Sequence, residues 1–295
     1  MVAQSLIVSA GHPARFIASL SRRLRCWLLA LPAGVGFATL RGILKLWLGF
    51  SPENSGVYSA GNGPAMRSAI IGVSFGHDKP LLRQLVRLST RLTHTDPKAE
   101  YGAFAVALAA HMAGGSGERE VQPHEYVGAL RDSLDDGASE LAALIEKAAD
   151  SVLAHETTEQ FAESLNLGHG ITRYVYATVP VAIHAWLSHR EDLRTAVLKL
   201  VRCGGDTDTT AAIVGGIIGA SVGKGGIPQD WLDGFCEWPQ KAAWLEELGA
   251  RLASVVDSGL PQQALPVSKV GLLLRNVFFL VVVLIHGFRR LLPPY

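Results

Sequence analysis

The chain has 295 residues, of which 48% are hydrophobic, with 27 basic and 26 acidic side chains. That apolar content supports a large core and excludes intrinsic disorder, and a net charge of +1 excludes a basic field that would gather nucleic acid across a whole face. The three cysteines, Cys26, Cys203 and Cys236, form no C-x-x-C pair, which excludes a disulfide framework or a thiolate zinc site and fits a reducing, cytoplasmic setting.

In chain order, "MVAQSLIVSAGHPARF" has no basic leader and only a short apolar stretch, so it makes a poor signal peptide. Phe16, Leu20, Leu24, Trp27 and Leu31 recur at steps of three and four residues with arginines between them. This predicts an amphipathic helix ended by Pro32, Gly34 and Gly36, with Arg22, Arg23 and Arg25 on its solvated face. "ATLRGILKLWLGF" predicts a second helix, closed by Gly49 and Pro52. "NSGVYSAGNGP" (54–64) is dense in Gly, Asn and Ser and reads as a loop. Two helices flank "THTDP" (93–97), where Asp96 fits an N-cap and Pro97 the first helical position.

Residues 125–165 are rich in Ala, Leu and Glu and read as helical. "NLGHGITRYVYATVP" (166–180) opens as a glycine loop. Its β-branched and aromatic stretch fits a strand, but helical spacing resumes in "PVAIHAWLSH". No long alternation of apolar and polar residues and no repeat period occurs. The expected fold is therefore all-α, a compact single-domain bundle of many helices over 1–265. Residues 266–295 form a hydrophobic C-terminal helix and tail. Within that tail the apolar core Val277 to Ile285 is about half of a bilayer span. Extension back to Val270 reaches spanning length but takes in Arg275 and Asn276. The plain reading is a buried terminal helix; the alternative is membrane association through 270–288.

The stretch with the most chemistry is "CGGDTDTTAAIVGGIIGA" (203–220). Asp206 and Asp208 are interleaved with threonine hydroxyls at the head of a greasy segment. At a helix N-terminus such side chains converge, and acids are favoured there by free N–H groups and the dipole. Two carboxylates and a hydroxyl are hard oxygen ligands suited to Mg²⁺ or Mn²⁺. Gly204 and Gly205 allow a tight turn and leave room for a ligand. The plainer alternative makes Asp206 an N-cap and Asp208 a first-turn acid. The pattern D-x-D-x-T also occurs in haloacid-dehalogenase phosphatases, but there it follows a buried strand, whereas "AVLKLVR" here is helical.

"GGDTDTTAAIVGGIIGA" closely resembles the carboxy-terminal signature of the ADP-ribosylglycohydrolases, the dinitrogenase-reductase-activating and ADP-ribosyl-acceptor hydrolase group. Three further stretches resemble that family in the same order: "GNGPAMRSAIIG" (61–72), "LTHTDPKAEYGAFAVALA" (92–109) and "GHGITRYVYATVPVAIHAW" (168–186). The resemblance implies an all-α fold and a pair of Mg²⁺ or Mn²⁺ ions. It also implies hydrolysis of the bond between ribose C1″ and an acceptor on an ADP-ribosylated protein or small ADP-ribose conjugate. By position it makes Asp206, Asp208 and Thr209 metal ligands. Gly61, Asn62, Gly63 and Met66 become the loop that cradles ADP-ribose, and His94 a substrate contact. Arg67 either pairs a phosphate or holds the loop; the role of His169 stays open.

The family also carries an acidic cluster near its start, of the type Ser/Thr-Asp-Asp-Thr, with a further acid upstream. Before Glu53 this chain has no Asp or Glu. The expectation is a member lacking its amino-terminal catalytic segment, with the catalytic acid outside these residues and only half a metal cage. A non-catalytic module that recognises ADP-ribose, and a membrane-anchored protein, are the competing readings.

Overall fold

The structure, a computed structural model, describes residues 1–115 and 120–291. Among these residues it is built from α-helices, short 3₁₀ turns and isolated bridges, with no named strand. The helices are α1 (Val2–Ser9), α2 (Pro13–Leu29), α3 (Phe37–Trp47), α4 (Ala69–Phe75), α5 (Lys79–Arg91) and α6 (Pro97–Gly115). Then come α7 (Pro123–Arg131), α8 (Ser139–Leu153), α9 (Thr158–Ser164), α10 (Val175–Ser188), α11 (Leu193–Arg202) and α12 (Thr207–Val222). The last three are α13 (Gln229–Asp233), α14 (Ala242–Ser258) and α15 (Lys269–Leu291).

The centre is α6. Its buried residues, from Ala99 through Ala113, face every direction, as expected of a helix surrounded by others. Small side chains let those neighbours come close. A Cβ on Gly72 of α4 would lie 1.8 Å from the Ala107 carbonyl oxygen, and one on Gly102 would lie 2.2 Å from Val175 of α10. α10 and α12 complete the inner layer with Val179, Ile183, Ile213 and Ile217, all fully buried. The amphipathic helices α5, α8 and α11 cover this layer with one face each.

Local signals account for several boundaries. Asp96 accepts from the Lys98 N–H at 2.9 Å, and α6 begins at Pro97, as the sequence indicates. Asp78 caps α5 through the Leu81 N–H, and Thr157 caps α9 in a reciprocal capping box. The region 125–165 is helical as expected, in the form of α7, α8 and α9. Three expectations need correction. α2 stops at Leu29, and Leu31 lies beyond it with φ 54°. The stretch after His169 is no strand, because α10 takes over at Val175 and buries that segment on all sides. The terminal helix α15 is not buried: Phe278, Val282 and Ile285 stand exposed.

The α4–α6 contact is the tightest in the fold. Gly72→Ala should cost about 1–3 kcal/mol, the usual range for overpacking, because backbone and not a flexible side chain must move. The check is a lower urea midpoint with an unchanged slope.

Candidate functional site

Three loops meet at the N-terminus of α12. The segment 57–63 leads into the Gly-Asn-Gly turn, 166–174 leads into α10, and 203–206 leads into α12. Backbone hydrogen bonds lace them together. Ile171 donates to the Gly204 carbonyl at 3.1 Å and accepts from the Asp206 N–H at 2.8 Å. Asn62 donates its main-chain N–H to Arg173 at 3.0 Å, and Val175 donates to Ala60 at 2.9 Å. On the far side, Val57 and the Thr93–Thr95 segment exchange two more.

The paired glycines explain this closeness. Gly204 and Gly205 both have φ in the left-handed region, +69° and +78°. A Cβ on Gly205 would lie 2.2 Å from the Ile171 carbonyl oxygen. The expectation that these glycines leave room for a ligand is therefore corrected at Gly205, where the neighbouring loop fills the space; a Cβ on Gly204 would meet only Gly170 Cα, at 3.9 Å.

Asp206 holds the N-cap position of α12, yet its carboxylate makes no capping hydrogen bond. It turns toward the Gly-Asn-Gly loop. The Asn62 side-chain amide donates to Asp206 Oδ2 at 2.7 Å and to Thr178 Oγ1 at 2.9 Å. Arg173 approaches Asp206 Oδ1 at 3.4 Å, from a side chain 79% exposed, whereas the Asp206 side chain is only 6% exposed. The α12 N-terminus adds partial positive charge beneath the carboxylate. Asp208, two residues on, is exposed, and Thr209 is buried. Thr210, also buried, donates back to the Asp206 carbonyl.

His94 sits behind the Gly-Asn-Gly turn, 3% exposed. Its ring fills the faces left bare by Gly61 and Gly63. A Cβ on Gly61 would lie 3.0 Å from His94 Nε2, and one on Gly63 would lie 3.3 Å from Cε1. The ring's Nδ1 is 2.8 Å from Thr93 Oγ1, which itself accepts from Arg67 at 2.8 Å. Burial, reinforced by the Arg67 charge, lowers the His94 pKa to about 3, so the ring is neutral at physiological pH. Arg67 also donates to the Ser89 and Gly63 carbonyls and to Ser89 Oγ. Of its two sequence readings, the structure selects the clamp that holds the loop. Burial lowers even its pKa, to about 10.

The predicted residues thus fall into two groups. Asn62 and Asp206 are in direct contact, and His94 packs against Gly61 and Gly63. Met66 stands 51% exposed on the 3₁₀ turn that follows, and Asp208 lies open to solvent. The sequence reading missed Arg173 and Thr178. No motif marks them, and only the meeting of the loops puts them on Asp206 and Asn62.

Oxygen donors on one turn of α12 suit a hard divalent cation, but the set does not make a cage. Among the described residues no group of three or more His, Cys, Asp or Glu side chains is placed to hold a metal ion. Asp206 moreover already has Asn62 and Arg173 on its two oxygens. These residues do not fit the two-ion centre that the resemblance implies, and no chemical step is derived through it.

An all-α scaffold with a carboxylate at the head of a buried helix, set against a Gly-Asn-Gly loop, defines a recognisable class. The sequence model of the ADP-ribosylglycohydrolase family matches residues 1–261, and the chain belongs to that family. It is 30% identical over 236 residues to an uncharacterised protein of Archaeoglobus fulgidus, covering 79% of this chain and 71% of that one. It is 31% identical over 201 residues to human ADP-ribosylhydrolase ARH3, covering 60% of this chain and 54% of the human protein. To the ADP-ribosyl-[dinitrogen reductase] glycohydrolase of Rhodospirillum rubrum it is 25% identical over 221 residues, covering 73% and 65%. The chain therefore spans about half the length of the human relative. A solved structure titled an ADP-ribosylglycohydrolase-related protein complex superposes with a TM-score of 0.58 at 24% identity, covering 88% of this chain and 78% of that one, which supports the shared fold.

Two predictions concern this site. Asn62→Asp sets two carboxylates against each other, so one of them takes a raised pKa in the folded state. Stability is then present at low pH and lost as pH rises through that value; urea midpoints of the variant should recover on acidification. His94 behaves in the opposite sense. Its folded pKa of about 3 lies below the unfolded value near 6.5, so its contribution is present above 6.5 and drains away as pH falls toward 3. His184, lowered to about 4 by burial, adds a second such group. His94→Gln should therefore reduce the slope of stability against pH between 6.5 and 4 by up to about 1.4 kcal/mol per pH unit.

Proposed function

We propose that this chain binds ADP-ribose conjugates where its three loops meet, and acts on the glycosidic bond between ribose C1″ and the acceptor. The observation that carries the reading is the Asp206 carboxylate. It forgoes its capping bond and is held by Asn62 of the Gly-Asn-Gly loop. Membership of the family and the names of the human and Rhodospirillum relatives, both ADP-ribosyl hydrolases, support it.

In this reading hydrolysis adds water at C1″, and the acceptor leaves with a proton. Positive charge develops on the ribose as the bond opens, and a fixed carboxylate stabilises it electrostatically. Asp206 is the pre-set carboxylate, with Asn62 and Thr178 fixing its direction. Gly61, Asn62, Gly63 and Met66 form the edge along which ADP-ribose lies. His94, neutral and enclosed, supports the Gly61–Gly63 turn from behind and does not act as a cation toward phosphate. Asp206, Asp208 and Thr209 offer a divalent ion at most a weak half-site, and no step of this reading passes through one.

A second reading is a module that holds ADP-ribose without cleaving it. It is favoured by the absence, among the described residues, of any three-member metal-ligating cluster. One experiment separates the two. ADP-ribose should raise the melting temperature of the purified chain, and Asn62→Ala should remove the effect. Release of free ADP-ribose from ADP-ribosylated peptides with Mg²⁺ or Mn²⁺ establishes hydrolysis. Stabilisation without release establishes the binding module. No stabilisation and no release would sink both.

A second test addresses the cation. Asp206→Asn and Asp208→Asn should each abolish whatever divalent binding calorimetry detects in the parent chain. Unchanged affinity would remove the metal role of this turn.

A further inference from the structure

Among the described residues helix α15 makes no hydrogen bond or ion pair to the loops around Asp206, and its own surface is strongly apolar. Its span Lys269–Arg290 covers 22 residues, long and apolar enough to cross a membrane. Only 11% of its most apolar window is buried against the rest of the chain. A core helix of a soluble domain would pass the same length test, but it would be covered.

The exposed side chains leave the axis in every direction. Phe278, Phe279, Val281, Val282, Val283, Leu284, Ile285 and Phe288 are all exposed. At 100° per residue, consistent with 3.6 residues per turn, they take all sides of the helix. A second copy of α15, or a groove on a partner protein, would cover one stripe and leave the opposite side in water. Hydrocarbon covers all sides at once, which is the environment of a helix apolar all round.

Charge agrees with that solvent. Lys269 to Leu291 contains no acidic residue, and its cations are Lys269, Arg275, Arg289 and Arg290. They stand before and after the stretch Val277–Phe288, where headgroups lie and where anionic lipids attract them. The stretch from Arg275 to Arg289 rises about 21 Å, short of about 30 Å of hydrocarbon, and local thinning of the bilayer together with snorkelling of the terminal arginines covers the difference. The two polar residues near the start of the helix are already provided for. Arg275 pairs with Glu237 at 2.7 Å, and the Asn276 amide donates to the Ala30 carbonyl at 2.7 Å. Leu29 and Leu31, on either side of Ala30, are exposed as well, so the apolar surface continues onto the body of the domain at the foot of the helix.

We propose that α15 anchors this domain to a lipid bilayer. Val277–Phe288 lies in the hydrocarbon with His286 near its far end, close to Arg289 and Arg290, and the Arg275–Glu237 and Asn276–Ala30 contacts seat the globular body at the headgroups. Arg289 and Arg290 reach the far headgroup layer by snorkelling along their aliphatic stems. The anchoring is independent of what the loops around Asp206 bind.

The test is flotation of the full chain, synthesised in the presence of vesicles of phosphatidylcholine and phosphatidylglycerol. The chain should float with the vesicles and stay with them through high salt and alkaline carbonate. Val282→Asp combined with Leu284→Asp should lower the vesicle-bound to free ratio by at least about a hundred-fold, since a charge at mid-helix opposes insertion by that much or more. Both positions face outward, so circular dichroism of the variant should be unchanged. Three results would overturn the proposal: the parent chain remains unfloated, salt or carbonate strips it off, or the double variant floats equally well. A vesicle-free parent that runs as a discrete dimer, and becomes monomeric in the double variant, would also overturn it by showing that a second copy covers the helix.

Discussion

The contact on which the site depends is the hydrogen bond from the Asn62 amide to the Asp206 carboxylate. It joins residues far apart in sequence across 2.7 Å, in a place almost closed to water. A buried carboxylate without donors is costly, and a donor without an acceptor is nearly as bad. Each loop therefore keeps the other in place. Because Asp206 gives up its capping role for this contact, the carboxylate faces the loop cluster and not its own helix.

A second layer holds the first. Arg67 gathers the Gly63 and Ser89 carbonyls and the Thr93 hydroxyl into one network, and Thr93 passes the restraint on to His94. His94 then packs against the two bare glycine faces. A charged imidazole there would be unfavourable, so burial and the Arg67 charge keep it neutral. The glycines of the Gly-Asn-Gly turn thus serve the protein's interior as much as any ligand: a side chain at Gly61 or Gly63 would press on the ring.

The all-α class, the capped start of α6 and the family itself were legible because each rests on local pattern. Less was legible wherever a neighbour decides. Arg173 and Thr178 carry no signature, since their partners come from other loops. The Gly204–Gly205 pair announces a turn, but that the turn is filled by Ile171 depends on where the 166–174 loop arrives. The β-branched run near Val175 gave no strand because packing around α6 rewards a buried helix there, and propensity is the weaker term.

The sequence by itself determined the helical periods, the caps, the oxygen-rich head of α12 and the apolar composition of α15, all of which depend on residues within a turn or two of one another. Tertiary structure decided the partners: that Asp206 faces Asn62 and Arg173, that Arg67 clamps and does not reach outward, and that α15 stands uncovered. Burial and hydrogen-bond satisfaction are set by whichever segments meet in space, and chain spacing carries no record of that meeting.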